Sequence, residues 1–133
     1  MMDPIINLTQ HKATPEQIEA GVVDLPDEKR EKLCKLLTFD ELPSTLEMCR
    51  RANSITRLLE DSASQMHIPL IEGKVCAMIG GAPFFTSFLE SFIRGLWVTP
   101  CYAFSKRVSV EKQMPDGTVV KEEVLKHVGF VYT

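Results

Sequence analysis

The stretch Met78–Phe85, MIGGAPFF, decides the fold class because it joins a strand signal to a helix signal. The run Lys74–Ile79 is apolar and too short for a typical helix, which predicts a central strand covered on both faces. Beyond it, Pro83 suits the first position of a helix, and aromatic and aliphatic residues recur at helical spacing as far as Leu96. A strand followed by a helix is the building unit of an α/β domain.

The glycine pair Gly80-Gly81 stands between these two signals and allows two interpretations. Glycine lacks Cβ, so it can adopt a positive φ and let a strand turn into a helix. The same property lets a bulky ligand approach the backbone closely. The neighbouring segments must decide between a steric role and a binding role.

Further signals before and after this stretch complete the predicted fold. The predicted strands are Ile5–Thr9, Trp97–Phe104 and the two arms of a hairpin whose turn is Met114–Gly117. Two segments allow alternatives: Val22–Leu25 is either a strand or a loop, and Lys126–Tyr132 is either the returning arm of the hairpin or a last strand. The predicted helices run from Thr14 to about Ala20, from Pro26 onward, and from Ser44 to about Gln65, and the spacing of Thr14 with Gln17 and of Ser44 with Glu47 predicts capping boxes. We therefore expect an α/β fold, a small Rossmann-like three-layer domain with a mainly parallel sheet and a C-terminal antiparallel β-hairpin.

The composition predicts one globular domain over residues 1–133. The chain is 44% hydrophobic and 25% charged, which suits a single core, and its net charge of −3 argues against coating nucleic acid by bulk attraction. The four cysteines form no C-x-x-C pair and lie in apolar stretches, which is typical of reduced thiols in a cytoplasmic protein. No apolar run reaches the length of a membrane span, so we expect no membrane insertion.

Three polar segments are predicted to meet at one edge of the sheet. Ligands of open parallel sheets bind at the carboxyl ends of the strands, where loops present unpaired N–H groups. The segments that follow predicted strands are Thr9-Gln10-His11, Gly80-Gly81-Ala82 and Ser105-Lys106-Arg107. This predicts a site for a small anionic ligand, with His11 as the candidate catalytic residue. Alternatively, His11 hydrogen-bonds the next helix end, and Lys106 and Arg107 form a solvated pair.

Familiar cofactor and metal motifs are missing from the sequence. No third glycine follows Gly80-Gly81 at dinucleotide-fingerprint spacing, and no Gly-Lys-Ser/Thr follows it as in a triphosphatase loop. No His or Cys stands at an offset that would complete a metal site with the acidic residues. We therefore expect neither a cofactor nor a metal, and we read the phenylalanines of Phe84–Phe92 as core rather than as a stacking surface.

The chain resembles the CRISPR-associated Rossmann-fold (CARF) sensors of cyclic oligoadenylate and the small ring nucleases related to them. The resemblance lies in the strand and turn in Ile5–Gln17 and in the strand that ends in Gly80-Gly81 before a helix. The sequence also looks like small phage and prophage proteins, which would suit a role against nucleotide-signalled host defence. The resemblance implies a cyclic nucleotide ligand bound across a homodimer axis, sequestered or cleaved without metal. These sensors commonly place a hydroxyl and a basic residue after the glycines, where this chain has Ala82-Pro83. Lys106 and Arg107 would then supply the positive charge.

Two other functions remain open from the sequence. The alternating arms Val108–Val124 around the predicted turn favour a non-enzymatic protein-interaction module, because an exposed strand edge can pair with another chain. A small hydrolase with its site at His11 is the third possibility.

Overall fold

The computed structural model describes residues 3–133, and within them strands and helices alternate as predicted for an α/β domain. In chain order the elements are β1 (Ile5–Asn7), α1 (Pro15–Glu19), β2 (Val22–Asp24), α2 (Asp27–Leu37), α3 (Thr45–Gln65), β3 (Cys76–Met78), α4 (Pro83–Arg94), β4 (Thr99–Gln113) and β5 (Val119–Tyr132). The α/β fold class is thereby confirmed. Val22–Asp24, which the sequence left open, is a strand.

The strands form one sheet in the order β2-β1-β3-β4-β5. The pairs β1–β2, β1–β3 and β3–β4 are parallel, and only β4–β5 is antiparallel, which confirms the mainly parallel sheet with a C-terminal hairpin. In this register Asn7 lies beside Met78, and Met78 lies beside Cys101. The carboxyl ends of β1 and β3 therefore reach the same edge of the sheet.

The two faces of the sheet are covered unequally. One face carries Ile6, Ala77 and Ile79, which are buried in the main core with side chains from α2, α3 and α4. The opposite face carries a smaller cluster of Ile5, Val22, Met78 and Cys101, against which Ala13 and Phe130 pack. The second helical layer of the expected three-layer arrangement is thus reduced to the short connection that contains α1. Phe85 lies in the main core and Phe88 and Phe92 pack against it, which confirms packing as their role, whereas Phe84 is half exposed and contacts Phe39.

The helix ends follow the capping signals, with one difference. At Thr14 the reciprocal capping box with Gln17 is present, as predicted. At Ser44 the side-chain oxygen accepts a hydrogen bond from the Glu47 backbone N–H, which confirms the cap. The Glu47 carboxylate, however, accepts from Arg51 Nε at 2.9 Å and does not complete a second box. The Glu47 carboxylate is thus paired with the guanidinium one turn away rather than with the backbone of the cap.

The largest departure from the prediction concerns Ser105-Lys106-Arg107. The sequence predicted a turn there, but β4 continues to Gln113 through a register shift between Phe104 and Ser105, and these three residues pair with Leu125–His127 of β5. Cys101 is the last residue of β4 in register with β3, so beyond it the sheet has only two strands. We call Ser105–Gln113 with Val119–His127 the ribbon; nine residues of strand extend it about 30 Å from the domain. The predicted turn Met114–Gly117 closes it, with Gly117 at φ +88°.

The four cysteines are free thiols, and Cys101 alone among them is fully buried. Burial raises the pKa of the Cys101 thiol to about 12, and the nearby Cys76 acts in the same direction. Cys34, Cys49 and Cys76 are partly exposed, so they are less deeply placed than the sequence suggested. Among residues 3–133, no helix combines the length and apolar character needed to span a membrane.

Candidate functional site

A cavity of about 500 Å³ lies at the edge of the sheet where β1 and β3 end. Its walls are Thr9–Lys12 after β1, Thr14 and Gln17 at the start of α1, Met78–Gly81 at the end of β3, and Tyr102 and Ala103 of β4. Met78 and Ile79 are buried, whereas His11 and Lys12 are exposed at the rim. The cavity thus combines an apolar interior with a polar rim, and its volume falls in the range of about 300–1,000 Å³ of small-molecule sites.

The cavity unites two of the three polar segments that the sequence singled out. Thr9, Gln10 and His11 share it with Gly80 and Gly81. Ser105, Lys106 and Arg107 do not line it, because β4 carries them outward along the ribbon. Arg107 there lies 3.9 Å from the exposed carboxylate of Glu123. The expected contribution of Lys106 and Arg107 to the cavity is therefore not seen.

Lys12 is the charged residue that lines the cavity instead. The binding segment predicted from the sequence ended at His11, although Lys12 follows it in the same loop. A cation at the mouth of a cavity with few other charges favours an anionic ligand. The signal that could have identified Lys12 is its position in the loop between His11 and the helix start at Thr14.

The loop after β1 is held by Asn7, which is 2% exposed. The Asn7 amide Nδ2 donates to the His11 carbonyl at 2.7 Å and to Asp24 Oδ1 at 2.8 Å. Its Oδ1 accepts from the Thr9 backbone N–H at 2.9 Å and from the Thr9 hydroxyl at 2.7 Å. One buried side chain therefore closes the turn Thr9–His11 and ties it to the neighbouring strand.

Asp24 extends this network from the end of β2. Its carboxylate accepts from the backbone N–H of Ala13 at 3.1 Å, in addition to the bond from Asn7. Because β1 and β2 pair in register at these two residues, the side chains meet across the strands. The roles of Asn7 and Asp24 were not predicted from the sequence, since a polar residue at the end of a short strand does not indicate which groups it will contact.

The glycines after β3 have different roles. Gly81 has φ +113°, a conformation that side chains rarely adopt, so it is required for the turn into α4. Gly80 does not have a positive φ, and a Cβ added there would lie 3.7 Å from Thr9 Cγ2, an ordinary contact. Within residues 3–133 the backbone N–H groups of Gly80, Gly81 and Ala82 donate no hydrogen bond. The steric role of Gly81 is thus established, and donors for a ligand lie beside it.

Tyr102 forms the wall of the cavity on the β4 side. Its hydroxyl donates to Glu90 Oε1 of α4 at 2.7 Å, which fixes the ring. Burial raises the pKa of Tyr102 above its ordinary value of 10.0, and the Glu90 carboxylate adds to the rise, while Thr86 opposes it. The bond to Glu90 therefore fixes the Tyr102 side chain at the same cavity as the backbone N–H groups of Gly80 and Gly81.

Metal chemistry has no evident ligands in the part of the chain that the structure describes. No group of three or more His, Cys, Asp or Glu side chains in residues 3–133 is placed to hold an ion. The chemical groups of the cavity are hydroxyls, amides, an imidazole and an ammonium group. Such groups bind anions and transfer protons.

Replacing Asn7 with alanine should lower the free energy of unfolding by about 1–3 kcal/mol, because the buried partners in the loop and at Asp24 lose their hydrogen bonds. Urea denaturation followed by circular dichroism measures the change. Asn53→Ala is the matched control, since Asn53 is exposed on α3 and its amide makes no hydrogen bond within residues 3–133. Equal stability of the two variants would contradict the role of Asn7.

Both tyrosines should ionise above pH 10 in the folded protein. Burial raises the pKa of Tyr132 as well as that of Tyr102, and these are the two tyrosines of the chain. A folded pKa above the unfolded value means that the folded state holds its proton longer, so the free energy of unfolding falls as pH rises past 10. Absorbance titration at alkaline pH, with and without denaturant, tests this; coincident titrations would contradict it.

Comparisons with known proteins bear on the family and leave the function open. No curated protein and no solved structure matches the chain. A protein-family model does match, over residues 3–131, and that range includes the cavity and the ribbon. The resemblance to the CARF sensors stays a prediction. By the family match, the chain belongs to the family described as the Uncharacterized protein MJ1673 family.

Proposed function

We propose that the cavity binds a small anionic ligand of the nucleotide type, such as a cyclic oligonucleotide second messenger, in a counter-defence role. The observation that carries this proposal is the convergence of Thr9–Lys12, Gly80-Gly81 and Tyr102 on one cavity at the carboxyl edge of the parallel strands. In open α/β sheets this edge is where ligands bind. The anionic ligand is proposed from the chemistry of the site, whereas the cyclic oligonucleotide and the counter-defence role are what the resemblance to the CARF sensors implies; the family match names no ligand.

The polar side of the cavity suits a phosphate. Lys12 provides a positive charge, and the free N–H groups of Gly80 and Gly81 lie beside the start of α4. Helix starts favour negative charge because their amides are unpaired and their dipole is positive there. Pro83 removes one amide from the first turn, so Lys12 and the glycine amides are the main donors in this proposal.

The apolar side of the cavity suits a nucleobase. In this proposal the base stacks on the ring of Tyr102, which its bond to Glu90 holds in place, and Met78 and Ile79 add apolar lining. Stacking of a base on an aromatic ring contributes about 1–3 kcal/mol and depends little on the identity of the base. A ligand with both a base and a phosphate would use both sides.

Binding alone would sequester such a messenger, and cleavage would need only a proton carrier and correct positioning. His11 is the imidazole in the cavity wall and takes the role of proton carrier in this proposal. A ribose 2′-hydroxyl aligned on the adjacent phosphate can displace the next ribose oxygen, and positioning supplies much of the rate. Lys12 would stabilise the charge that develops on the phosphate.

A thermal-shift panel of cyclic di-, tri- and oligonucleotides tests the proposal. A ligand present at 100 times its dissociation constant should stabilise the protein by about 2.7 kcal/mol. Lys12→Gln should weaken its binding by roughly 10- to 100-fold, because a charge-assisted hydrogen bond is lost. His11→Ala should abolish any turnover while leaving most of the binding.

The control is Lys106→Gln, which makes the same chemical change on the ribbon, outside the cavity. Wild-type affinity is expected for this variant. A panel without any shift would contradict the nucleotide proposal. A loss of binding in Lys106→Gln but not in Lys12→Gln would move the site to the ribbon.

The ribbon favours a second, non-enzymatic function, which is protein binding. The residues of the ribbon are exposed, apart from the half-buried Val108 and His127. Neither strand of the ribbon has a further neighbour among the described residues. An unpaired strand edge is a ready site for β-strand addition.

Replacing residues 113–119 with a two-residue Asn-Gly turn tests this second function. The change joins Lys112 and Val120, a hydrogen-bonded pair of the ladder, and keeps the lower ribbon. We expect loss of a co-purifying protein partner in pull-down with an unchanged unfolding midpoint. Unchanged capture would contradict a role of the ribbon tip.

A further inference from the structure

The outer edge of β5 is unpaired over the whole ribbon. β5 is the last strand of the sheet, and within residues 3–133 its partner is β4 alone. The β5 residues from Val119 to Lys126 are all exposed. A two-stranded ribbon without a packed face is marginally stable in water, and its free edge can receive another strand. The ribbon therefore has a free strand edge at which a further strand could pair.

One face of the ribbon combines apolar side chains with unbalanced charge. Residues that pair directly share a face, and this face carries Val108 with Val124, Val110 with Glu122, Lys112 with Val120, and Lys106 with Lys126. The two lysines lie opposite each other, an arrangement that destabilises a strand pair. Neither of them, nor Glu122, forms an ion pair within the described residues. The face needs an acidic group beside Lys126 and a basic group beside Glu122.

We propose that a second copy of the chain supplies both groups by antiparallel pairing of the two β5 edges around Val124. In this two-fold arrangement Val124 lies opposite the partner's Val124. Glu122 lies opposite Lys126 of the partner subunit, and the symmetry makes this pair twice. Lys106 lies in the same row on the far side of Lys126, so the acidic group offsets the charge of the two lysines from one side of the row. The inference names the partner of the ribbon and so rests on the second proposed function.

The backbone hydrogen bonds are in the right phase for this pairing. Met114 N–H donates to the Thr118 carbonyl at 2.7 Å, which marks a hydrogen-bonded pair of the β4–β5 ladder. Since such pairs alternate, the even-numbered residues of β5 face β4, and Lys121, Glu123 and Leu125 direct their N–H and C=O groups outward. In the proposed register Glu123 meets Leu125 of the partner subunit, so outward groups meet outward groups. Val124 then occupies the closer, non-hydrogen-bonded position.

Registers shifted toward the turn bring like charges together, and the register centred on Leu125 pairs Lys126 with Val124 of the partner subunit and so forms no Glu122–Lys126 pair. Centring the two-fold axis on Glu123 would place that carboxylate against its own copy, and centring it on Glu122 would do the same at the closer position. Like charges directly opposite each other destabilise strand pairing. The register around Val124 avoids both contacts and gains two ion pairs.

Sedimentation velocity over a concentration series tests the pairing. We expect a dimer whose dissociation constant rises about tenfold or more in Glu122→Lys and in Lys126→Glu, because each change makes two like-charge contacts. The double variant Glu122→Lys/Lys126→Glu should restore the wild-type constant, since the pairs are then reversed. Glu111→Lys is the matched control: it makes the same charge change on β4, the opposite edge of the ribbon, and should leave the dimer intact.

A cross-linking measurement keeps the test valid if a charge variant loses its ribbon. Val124→Cys should form a covalent dimer under oxidising conditions, because Cβ atoms of opposite residues lie about 4.5–5.5 Å apart. Val120→Cys on the same face should not exceed the wild-type background. A monomer at every concentration overturns the proposal, and so does a dimer that ignores Glu122→Lys or is not restored in the double variant. Replacement of residues 113–119 keeps the proposed interface, so failure of tip-mediated capture and failure of self-pairing are distinguishable.

Discussion

The hydrogen bonds of the buried Asn7 amide connect the fold of this protein to its cavity. Asn7 ends β1, and its side chain contacts the turn that follows and Asp24 at the end of β2. A buried amide with unmet hydrogen bonds is costly, so the turn adopts the one conformation that satisfies it. That conformation places Thr9–Lys12 beside the end of β3. The geometry of the candidate site is therefore a consequence of satisfying one side chain in the sheet.

The cavity and the ribbon depend on different physical interactions. The cavity is built on buried strands, and its walls are fixed by the main core on one side and by the smaller cluster around Met78 and Cys101 on the other. The ribbon leaves the domain beyond Cys101 and is held by strand pairing and cross-strand contacts alone. A rigid cavity suits a small ligand, whereas an exposed edge suits another chain. The two features can thus serve one protein without sharing residues.

Local signals in the sequence predicted the elements well. Thr14 with Gln17, Pro83 and the turn at Met114–Gly117 each depend on residues within a few positions, and the structure confirms all of them. The continuation of β4 through Ser105–Arg107 could not be predicted in the same way. Three consecutive polar residues suit both a turn and an exposed strand, and pairing with Leu125–His127, about twenty residues away, decides between them.

By itself, the sequence determined the α/β class, most of the strands and helices, and the turns at Gly81 and Met114–Gly117, because propensity, capping and periodicity act between near neighbours. It also identified five of the residues that line the cavity: Thr9, Gln10, His11, Gly80 and Gly81. Only the tertiary structure decided that Lys12 and Tyr102 join them, that Asn7 and Asp24 hold the loop, and that Lys106 and Arg107 lie outside. These outcomes depend on which strands become neighbours and where their pairing ends, and both are set by contacts between residues distant in the chain.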